Sequence, residues 1–451
     1  MQNKDEALGT QPIGKLMLSL ALPAVAAQFI NMLYNIVDRI YIGNIPGTGA
    51  LALTGVGVTF PIILLVSAFA AFAGMGGAPL ASIQLGAGNR EGAEKILGNC
   101  FSMLLVLSVT LTVIFSIFKT PLLYMFGASD AIIGYAEDYI SIYLAGTIFV
   151  QLALGLNTFI SAQGHATVAM LSVLIGAVIN IVLDPVFIFV FGMGVSGAAL
   201  ATILSQAVSA AWVLRFLFSA KSGIRIRRGN MKFEKRVVGK VIGLGIAPFI
   251  MQSTESLVNI TLNAGLQRYG GDLYVGSMTI MQSVMQMLVM PIQGITQGAQ
   301  PIMSYNYGAK NYSLLLKVML LVTVSGFALA ALLPGVLARM FTQDAELIEI
   351  VKKMMPIFFG GIWAFGAQMA CQTTFMALGQ AKISLFLALL RKVVLLVPLA
   401  LLLPVVMGGN VLGIYIAEPV ADVIASFTTL SLFLIKRKTL LPDGGAPAKS
   451  K

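Results

Sequence analysis

Asn180 and Asp184 stand four residues apart in Gly176 to Phe189, GAVINIVLDPVFIF, a stretch otherwise apolar, and Pro185 follows the acid directly. On a helix this spacing puts the amide and the carboxylate on one face. Pro185 has no N–H, and its ring crowds the carbonyl of Ile181 and frees that oxygen from the helix ladder. A carboxylate, an amide and a loosened carbonyl therefore gather inside an apolar segment. An ionised Asp at the centre of a membrane helix costs about 2.5–3.5 kcal/mol on insertion scales, and such residues usually mark ion or substrate paths. The alternative is a structural acid satisfied by a neighbouring helix at a proline kink.

Other polar groups fall into register with this pair. Asn31, Asn35 and Asp38 follow one another at i, i+4 and i+7, on one helix face. Arg39 lies one position around and suits a snorkelling role at a boundary. Asn157 and Thr202 add neutral oxygens. Two carboxylates with several neutral oxygens suit a hard cation, or a proton shared between the acids. Further along, Gln252, Glu255, Asn259 and Asn263 form a stripe, in which Glu255 reads as a proton site, a counter-charge for cations or a structural acid. Gln282 and Gln286 sit among Met278, Met281, Met285, Met287 and Met290, and Trp363, Phe365, Gln368 and Gln372 cluster later. Methionine suits adaptable binding surfaces, and aromatic faces attract cations. A cleft lined this way would take lipophilic, flat or cationic compounds; plain packing is the alternative. Arg391 and Lys392 interrupt another apolar run and either snorkel or line the path, with Glu418 and Asp422, four apart, as candidate partners.

The elements that must position these residues are membrane helices. Only 10% of the 451 residues are charged, against about 25% in soluble proteins, and the mean hydropathy is +0.90. A spanning helix needs about 20 apolar residues. Twelve segments qualify, at roughly 16–41, 52–80, 96–119, 132–158, 167–191, 195–218, 238–267, 274–302, 313–340, 349–378, 382–406 and 411–435. The expected fold is all-α, with twelve transmembrane helices in two pseudo-symmetric six-helix lobes.

Charge sets the topology. The loop after the sixth segment carries Lys221, Arg225, Arg227, Arg228, Lys232, Lys235, Arg236 and Lys240 against Glu234, and the tail adds Lys436, Arg437 and Lys438. By the positive-inside rule these ends are cytoplasmic, so the net charge of +11 reflects topology rather than nucleic-acid binding. A weak repeat runs through the chain. Gly86-Ala87-Gly88-Asn89 matches Gly308-Ala309-Lys310-Asn311, and Ala162-Gln163-Gly164-His165-Ala166 matches Ala377-Leu378-Gly379-Gln380-Ala381. Six helices per unit is an even number, so both halves share one orientation, a transporter layout. The expected division is an N-terminal lobe at 1–220, a basic linker at 221–240 and a C-terminal lobe with a basic tail at 241–451. The second half has Pro398 but no acid at the position matching Asp184, so the lobes differ chemically.

Several classes drop out. There is no G-x-x-x-x-G-K-[ST] loop for ATP. One histidine and two cysteines, Cys100 and Cys371, supply no metal box or histidine triad, and both cysteines read as small core residues. Val37 before Asp38 and Leu183 before Asp184 depart from intramembrane aspartyl protease motifs. The N-terminus lacks a cleavable signal pattern.

The paired Gly-Ala-x-Asn loops, the P-x(14)-D run from Pro23 to Asp38 and the N-x-x-x-D-P of Asn180 to Pro185 resemble the multidrug and toxic compound extrusion (MATE) family along nearly the whole chain. The resemblance implies a non-enzymatic secondary transporter that exports organic, often cationic, compounds in exchange for H⁺ or Na⁺. No cofactor beyond the coupling ion is implied, nor any metal beyond Na⁺. In one branch the N-terminal lobe holds the cation, and its residues map to Asp38, Asn157, Asn180, Asp184 and Thr202. Another branch uses an acid that maps to Glu255 together with an Asp in the tenth helix, where this chain has Gln368, Cys371 and Gln372. Cleft candidates are Asn31, Asn35, Gln252, Gln282, Met285, Gln286, Trp363 and Gln368. A monomer in the inner cell membrane, with both termini cytoplasmic, is expected. Competing readings are a flippase for lipid-linked sugars, which should line its cleft with several Arg and Lys, and a non-transporting receptor.

Overall fold

A computed structural model describes residues 8, 11–126, 128–309, 317 and 345–440, and the side chains of scattered helical positions, Asn259, Gln282, Gln286 and Met287 among them, lie outside that set. The helices are α1 Ile13–Gly43, α2 Gly49–Gly86, α3 Arg90–Met125, α4 Ile133–Ala145, α5 Thr147–Ala162, α6 Ala166–Pro185, α7 Gly194–Phe218, α8 Lys235–Tyr269, α9 Asp272–Gly308, α10 Ala345–Phe358, α11 Ile362–Ala377, α12 Ala381–Leu389, α13 Val397–Val406 and α14 Leu412–Leu440. Among the described residues, nine helices are long and apolar enough to cross a membrane, and the bent α4–α5 pair makes ten. With its many amides, α9 is not among these ten, yet 37 residues at about 1.5 Å each exceed a bilayer core of about 30 Å. The ninth expected segment, 313–340, lies outside the described residues. The fold is an all-α membrane bundle of two lobes.

Of the described segments read as continuous from composition, two are broken and two widen into π turns. The fourth bends by 59° between α4 and α5. The break falls at Gly146, where a Cβ would collide with the side chain of Ile203 on α7, and where glycine's low helix propensity makes interruption easy. The tenth is broken by a 3₁₀ turn at Phe359–Gly361, where Gly361 lies against the backbone of Pro419. The eleventh widens into a π-helical turn at Leu390–Leu396. A matching π turn at Val186–Val190 follows Pro185 in the fifth. Such turns concentrate at functional sites. The half-chain repeat is visible in the backbone: Gly164 after α5 and Gly379 after α11 both adopt positive φ, 81° and 69°, which favours glycine.

Among the described residues, the packing between lobes lies at one end. One apolar cluster (Ile42, Ile62, Tyr139, Ile140 and neighbours) lies wholly within the N-lobe. Another (Leu262, Met278, Phe358, Tyr415 and neighbours) lies wholly within the C-lobe. The clusters near the basic loop cross between lobes: Leu16, Met17 and Leu20 pack with Ile302, Met303 and Phe375. Small residues allow the approach, as is usual where lipid supplies no hydrophobic drive. On α1, Val25 and Ala21 lie against Gly294 and Gly298 of α9; on α2, Gly76 meets Gly245 of α8. Phe69 and Phe249 rings stand 4.8 Å apart, and Gln28 donates to Gln297 at 3.2 Å. These contacts all fall in the half that carries the basic loop.

The basic loop is laid along the N-lobe. The Gln163 carboxamide oxygen accepts from the Ser222 hydroxyl and the Ile224 N–H, each at 2.9 Å. Buried Glu94 pairs with Arg227 at 2.7 Å, Asn99 accepts from the Glu234 N–H at 2.8 Å, and Ser102 donates to the Met231 carbonyl at 2.7 Å. Ile224 and Ile226 enter the N-lobe core. The loop is therefore a strap on one lobe up to the start of α8.

The closed end has a reciprocal seam. A Cβ at Gly86 would strike the Tyr305 carbonyl, and one at Gly308 would strike the Ile83 carbonyl. Added methyl groups there must force the lobes apart, since overpacking costs about 1–3 kcal/mol. Ala87→Cys and Ala309→Cys, in a background with Cys100 and Cys371 replaced, should crosslink readily. Adding Gly86→Val should lower that yield several-fold; an unchanged yield would contradict the seam.

Candidate cation site and central cleft

Helix α6 carries Asn180 and Asp184 on its buried face: Asp184 is 0% exposed and Asn180 1%. The Asn180 amide donates to Asp184 Oδ1 at 3.2 Å and reaches the Thr202 hydroxyl on α7 at 3.5 Å. Helix α1 brings Asp38 against this pair, with its carboxyl group within hydrogen-bonding reach of that of Asp184. The two acids come from segments separated by well over a hundred residues, and the packing of α1 on α6 joins them.

The electrostatics of this cluster are unbalanced. Asp38 Oδ1, Asn180 Oδ1 and Asp184 Oδ2 are buried with no hydrogen-bond partner among the described residues. Buried acceptors normally find donors. Here three oxygens converge without one, and two belong to acids that repel each other when ionised. A small hard cation fits these oxygens as ligands, and a proton held between the acids meets the same need. Among the described residues no group of three or more acidic, histidine or cysteine side chains is gathered for a metal, so the donor set suits a single positive charge.

Two tyrosines that sequence reasoning missed complete the surroundings. Tyr34 lies beside both acids and hydrogen-bonds Asn35. Its position four residues before Asp38 was a readable signal, because i and i+4 share a face. Tyr139 on α4 hydrogen-bonds Thr202, and nothing in its local sequence ties it to the acids. Arg39 stacks over Phe60 at 5.7 Å and acts on Asp38 through space rather than as an ion pair.

Asn157 sits lower in the lobe. Its amide donates to the Ala169 carbonyl at 3.2 Å, and its oxygen accepts from Ser172 at 3.1 Å. Ser172 is eight residues from Asn180, roughly 12 Å along the helix. Asn157, Asn31 and Tyr34 line a cavity of about 40 Å³ with Ser205 and Ser209, roomy enough for water. Asn157 thus shares a cavity with Tyr34, which lies beside the acids, and its described hydrogen bonds go to Ala169 and Ser172 rather than to the acids. Asn35 is exposed on α1 and donates to the Asn31 carbonyl at 2.6 Å.

The C-lobe residues divide. Gln252 and Gln368 each bury a carboxamide oxygen with no partner among the described residues, and Gln372 donates to the Met251 sulfur at 3.1 Å. Trp363 does not join Gln368. It is 48% exposed, because five residues rotate it by about 140° around α11. The methionines are mainly core: Met278 and Met281 are fully buried in the C-lobe cluster, with Met285 packed against it. They fill space between helices rather than line a cleft. The side chains of Gln282 and Gln286 lie outside the described residues. Arg391 pairs with Glu418 at 2.9 Å and Asp422 at 2.6 Å. Lys392 turns the other way, to Glu255. Cys100 and Cys371 are free and buried.

Comparison with known proteins places this arrangement. The multidrug export protein MepA of Staphylococcus haemolyticus is 24% identical over 440 residues, covering 95% of this chain and 96% of the relative. The MepA of Staphylococcus saprophyticus is 23% identical over 454 residues and covers 98% of each. A crystal structure of MATE in the bent conformation superposes with a TM-score of 0.91 at 23% identity, over 99% of this chain and 100% of that one. The outward-facing conformation of a multidrug resistance MATE family transporter of the MOP superfamily gives 0.89 at 23% identity, over 98% and 99%. The MatE family model matches residues 23–186 and 248–402, one stretch in each lobe. Since those two stretches make up most of the sequence, the chain belongs to the MatE family.

Proposed function

We propose that this chain is a secondary active multidrug efflux transporter that exports organic, often cationic, compounds in exchange for H⁺ or Na⁺ by alternating access. The observation that carries the coupling is the cluster of partnerless buried oxygens on Asp38, Asn180 and Asp184. Thr202 supports the set through Asn180, and Asn157 lines the water-sized cavity below it. The multidrug export function of the MepA relatives supports the substrate class.

Helix α1 is the mechanical link. Its first half rests on the other lobe, where Ala21 and Val25 touch Gly298 and Gly294. Its second half carries Asp38 to the partner acid on α6. A cation or proton that draws Asp38 and Asp184 together shifts α1, and α1 transmits the shift to the seam between lobes. Binding favours the conformation that holds the ion best, the cleft releases its compound, and the lobes rock back. One charge moving through about 150 mV gains roughly 3.5 kcal/mol, which sustains a gradient of more than about a hundredfold.

The moving bodies are residues 1–220 and 241–451. The 221–240 linker travels with the first, to which its strap is bonded. The basic end faces the cytoplasm with both termini, and the cleft opens outward. The protein acts as a monomer. A flippase for pyrophosphate-linked sugars needs free basic groups in its cleft, whereas Arg391 and Lys392 are both occupied by carboxylates.

Two measurements test this. In proteoliposomes with an internal organic-cation dye, Asp184→Asn or Asp38→Asn should slow gradient-driven efflux by about tenfold or more; full coupled transport by Asp184→Asn would sink the coupling role. With the wild type, an inward Na⁺ gradient at fixed pH and a pH gradient without Na⁺ are imposed separately. At least one should drive efflux, and that response should vanish in Asp184→Asn. Failure of both gradients with the wild type would refute secondary transport.

A further inference from the structure

The C-lobe holds charged side chains that the N-lobe cation site does not use, and they are arranged around one π turn. Leu390–Leu396 is π-helical, and its consecutive residues Arg391 and Lys392 serve different neighbours. Arg391 turns to α14, where Nε meets Asp422 at 2.6 Å and Nη2 meets Glu418 at 2.9 Å. Its guanidinium also lies over the Phe365 ring at 4.8 Å. With two carboxylates that are 10% and 2% exposed, this is an anchored fork, and breaking such a buried pair is strongly unfavourable.

Lys392 is held differently. Its ammonium donates to the Met251 carbonyl at 3.0 Å and to the Glu255 carboxylate. Lys392 is 13% exposed while Glu255 is 54% exposed. Glu255 lies on α8 about 9 Å along the axis past Phe249, which makes the ring contact with Phe69 of the other lobe, and it shares a helix face with Val258 and Leu262 of the C-lobe cluster. Its open side therefore faces the interior of the C-lobe, beyond the contact between lobes. A lysine is a point charge on a flexible stem, and a partly exposed pair of this kind is weak. The fixed member of the turn is Arg391; the exchangeable member is Lys392.

We propose that Lys392 is a resident counter-cation for Glu255, which a lipophilic monovalent organic cation entering the cleft displaces. The exchange swaps one positive charge for another on the same carboxylate. The released ammonium keeps the Met251 carbonyl, and no bond or proton is transferred. Neutral compounds gain nothing from the swap, so Lys392 sets how strongly cations are favoured. This inference rests on the efflux reading above.

The test uses full-length protein in nanodiscs and labelled tetraphenylphosphonium as the probe. Lys392→Met should tighten equilibrium binding about tenfold, equivalent to about 1.4 kcal/mol. Lys392→Arg, which keeps the charge, should produce no tightening. In a Glu255→Gln background, Lys392→Met should add nothing. Unchanged or weaker binding by a Lys392→Met protein that melts like the wild type overturns the proposal, as does equal tightening in both backgrounds. A second measurement needs no variant. Saturating tetraphenylphosphonium should raise the rate at which acetic anhydride modifies Lys392 in the wild type, read by mass spectrometry; protection or no change overturns the displacement. Wild-type protein that exports no organic cation refutes the efflux reading. Wild-type efflux with unaltered Lys392 reactivity refutes this proposal alone.

Discussion

A half-buried carboxylate, Asp38, brought against the fully buried carboxylate of Asp184 is the constraint on which the N-lobe depends. Neither Asp38 nor Asp184 finds an arginine or lysine among the hydrogen bonds and ion pairs described for it. The hydrogen-bond donor described at the pair is the Asn180 amide. Burial of charge is tolerated when it is paired, and with Arg39 acting on Asp38 only through space this imbalance is what the proposed cation or proton would relieve. The π turn beginning at Val186 and the proline before it loosen the helix beside the acid, where added ligand oxygens are useful.

The C-lobe answers the same constraint from within. Its acids Glu255, Glu418 and Asp422 are met by Arg391 and Lys392 from the pseudo-equivalent π turn. One architectural device, a π turn in the fifth segment of each repeat, thus serves opposite electrostatic ends. In the N-lobe it borders an acid pair short of positive charge. In the C-lobe it supplies the positive charges.

The closed end of the molecule relates these sites to motion. Lipid offers no hydrophobic drive for helix association, so contact depends on close backbone approach. Glycines 76, 86, 245, 294, 298 and 308 provide it across the seam. Contact of this kind is dense and short-ranged, and a small rotation of one lobe breaks much of it at once. The strap of residues 222–234 on the N-lobe ensures that the connection between lobes moves with one of them, leaving the start of α8 as the place where chain flexibility is needed.

Sequence alone determined the membrane class, the two-lobe repeat and the N-lobe acids, because hydropathy, charge asymmetry and an ionisable group in an apolar run are local properties with a physical cost. The i, i+4 spacing of Asn180 and Asp184 was enough to put them on one face, whereas Glu418 and Asp422 were open to either Arg391 or Lys392 until packing gave them Arg391. What tertiary structure decided were the relations between distant segments. It joined Asp38 to Asp184, brought Tyr139 to Thr202, set Asn157 one cavity away, sent Trp363 to the outside and folded Met278 and Met281 into packing. It also gave Arg391 and Lys392 their separate neighbours: successive helical residues point about 100° apart, but which acid stands on each side is a matter of packing. Helix breaks at Gly146 and Gly361 were hidden for a related reason: each depends on a neighbour from another helix, Ile203 or Pro419, pressing where only glycine leaves room.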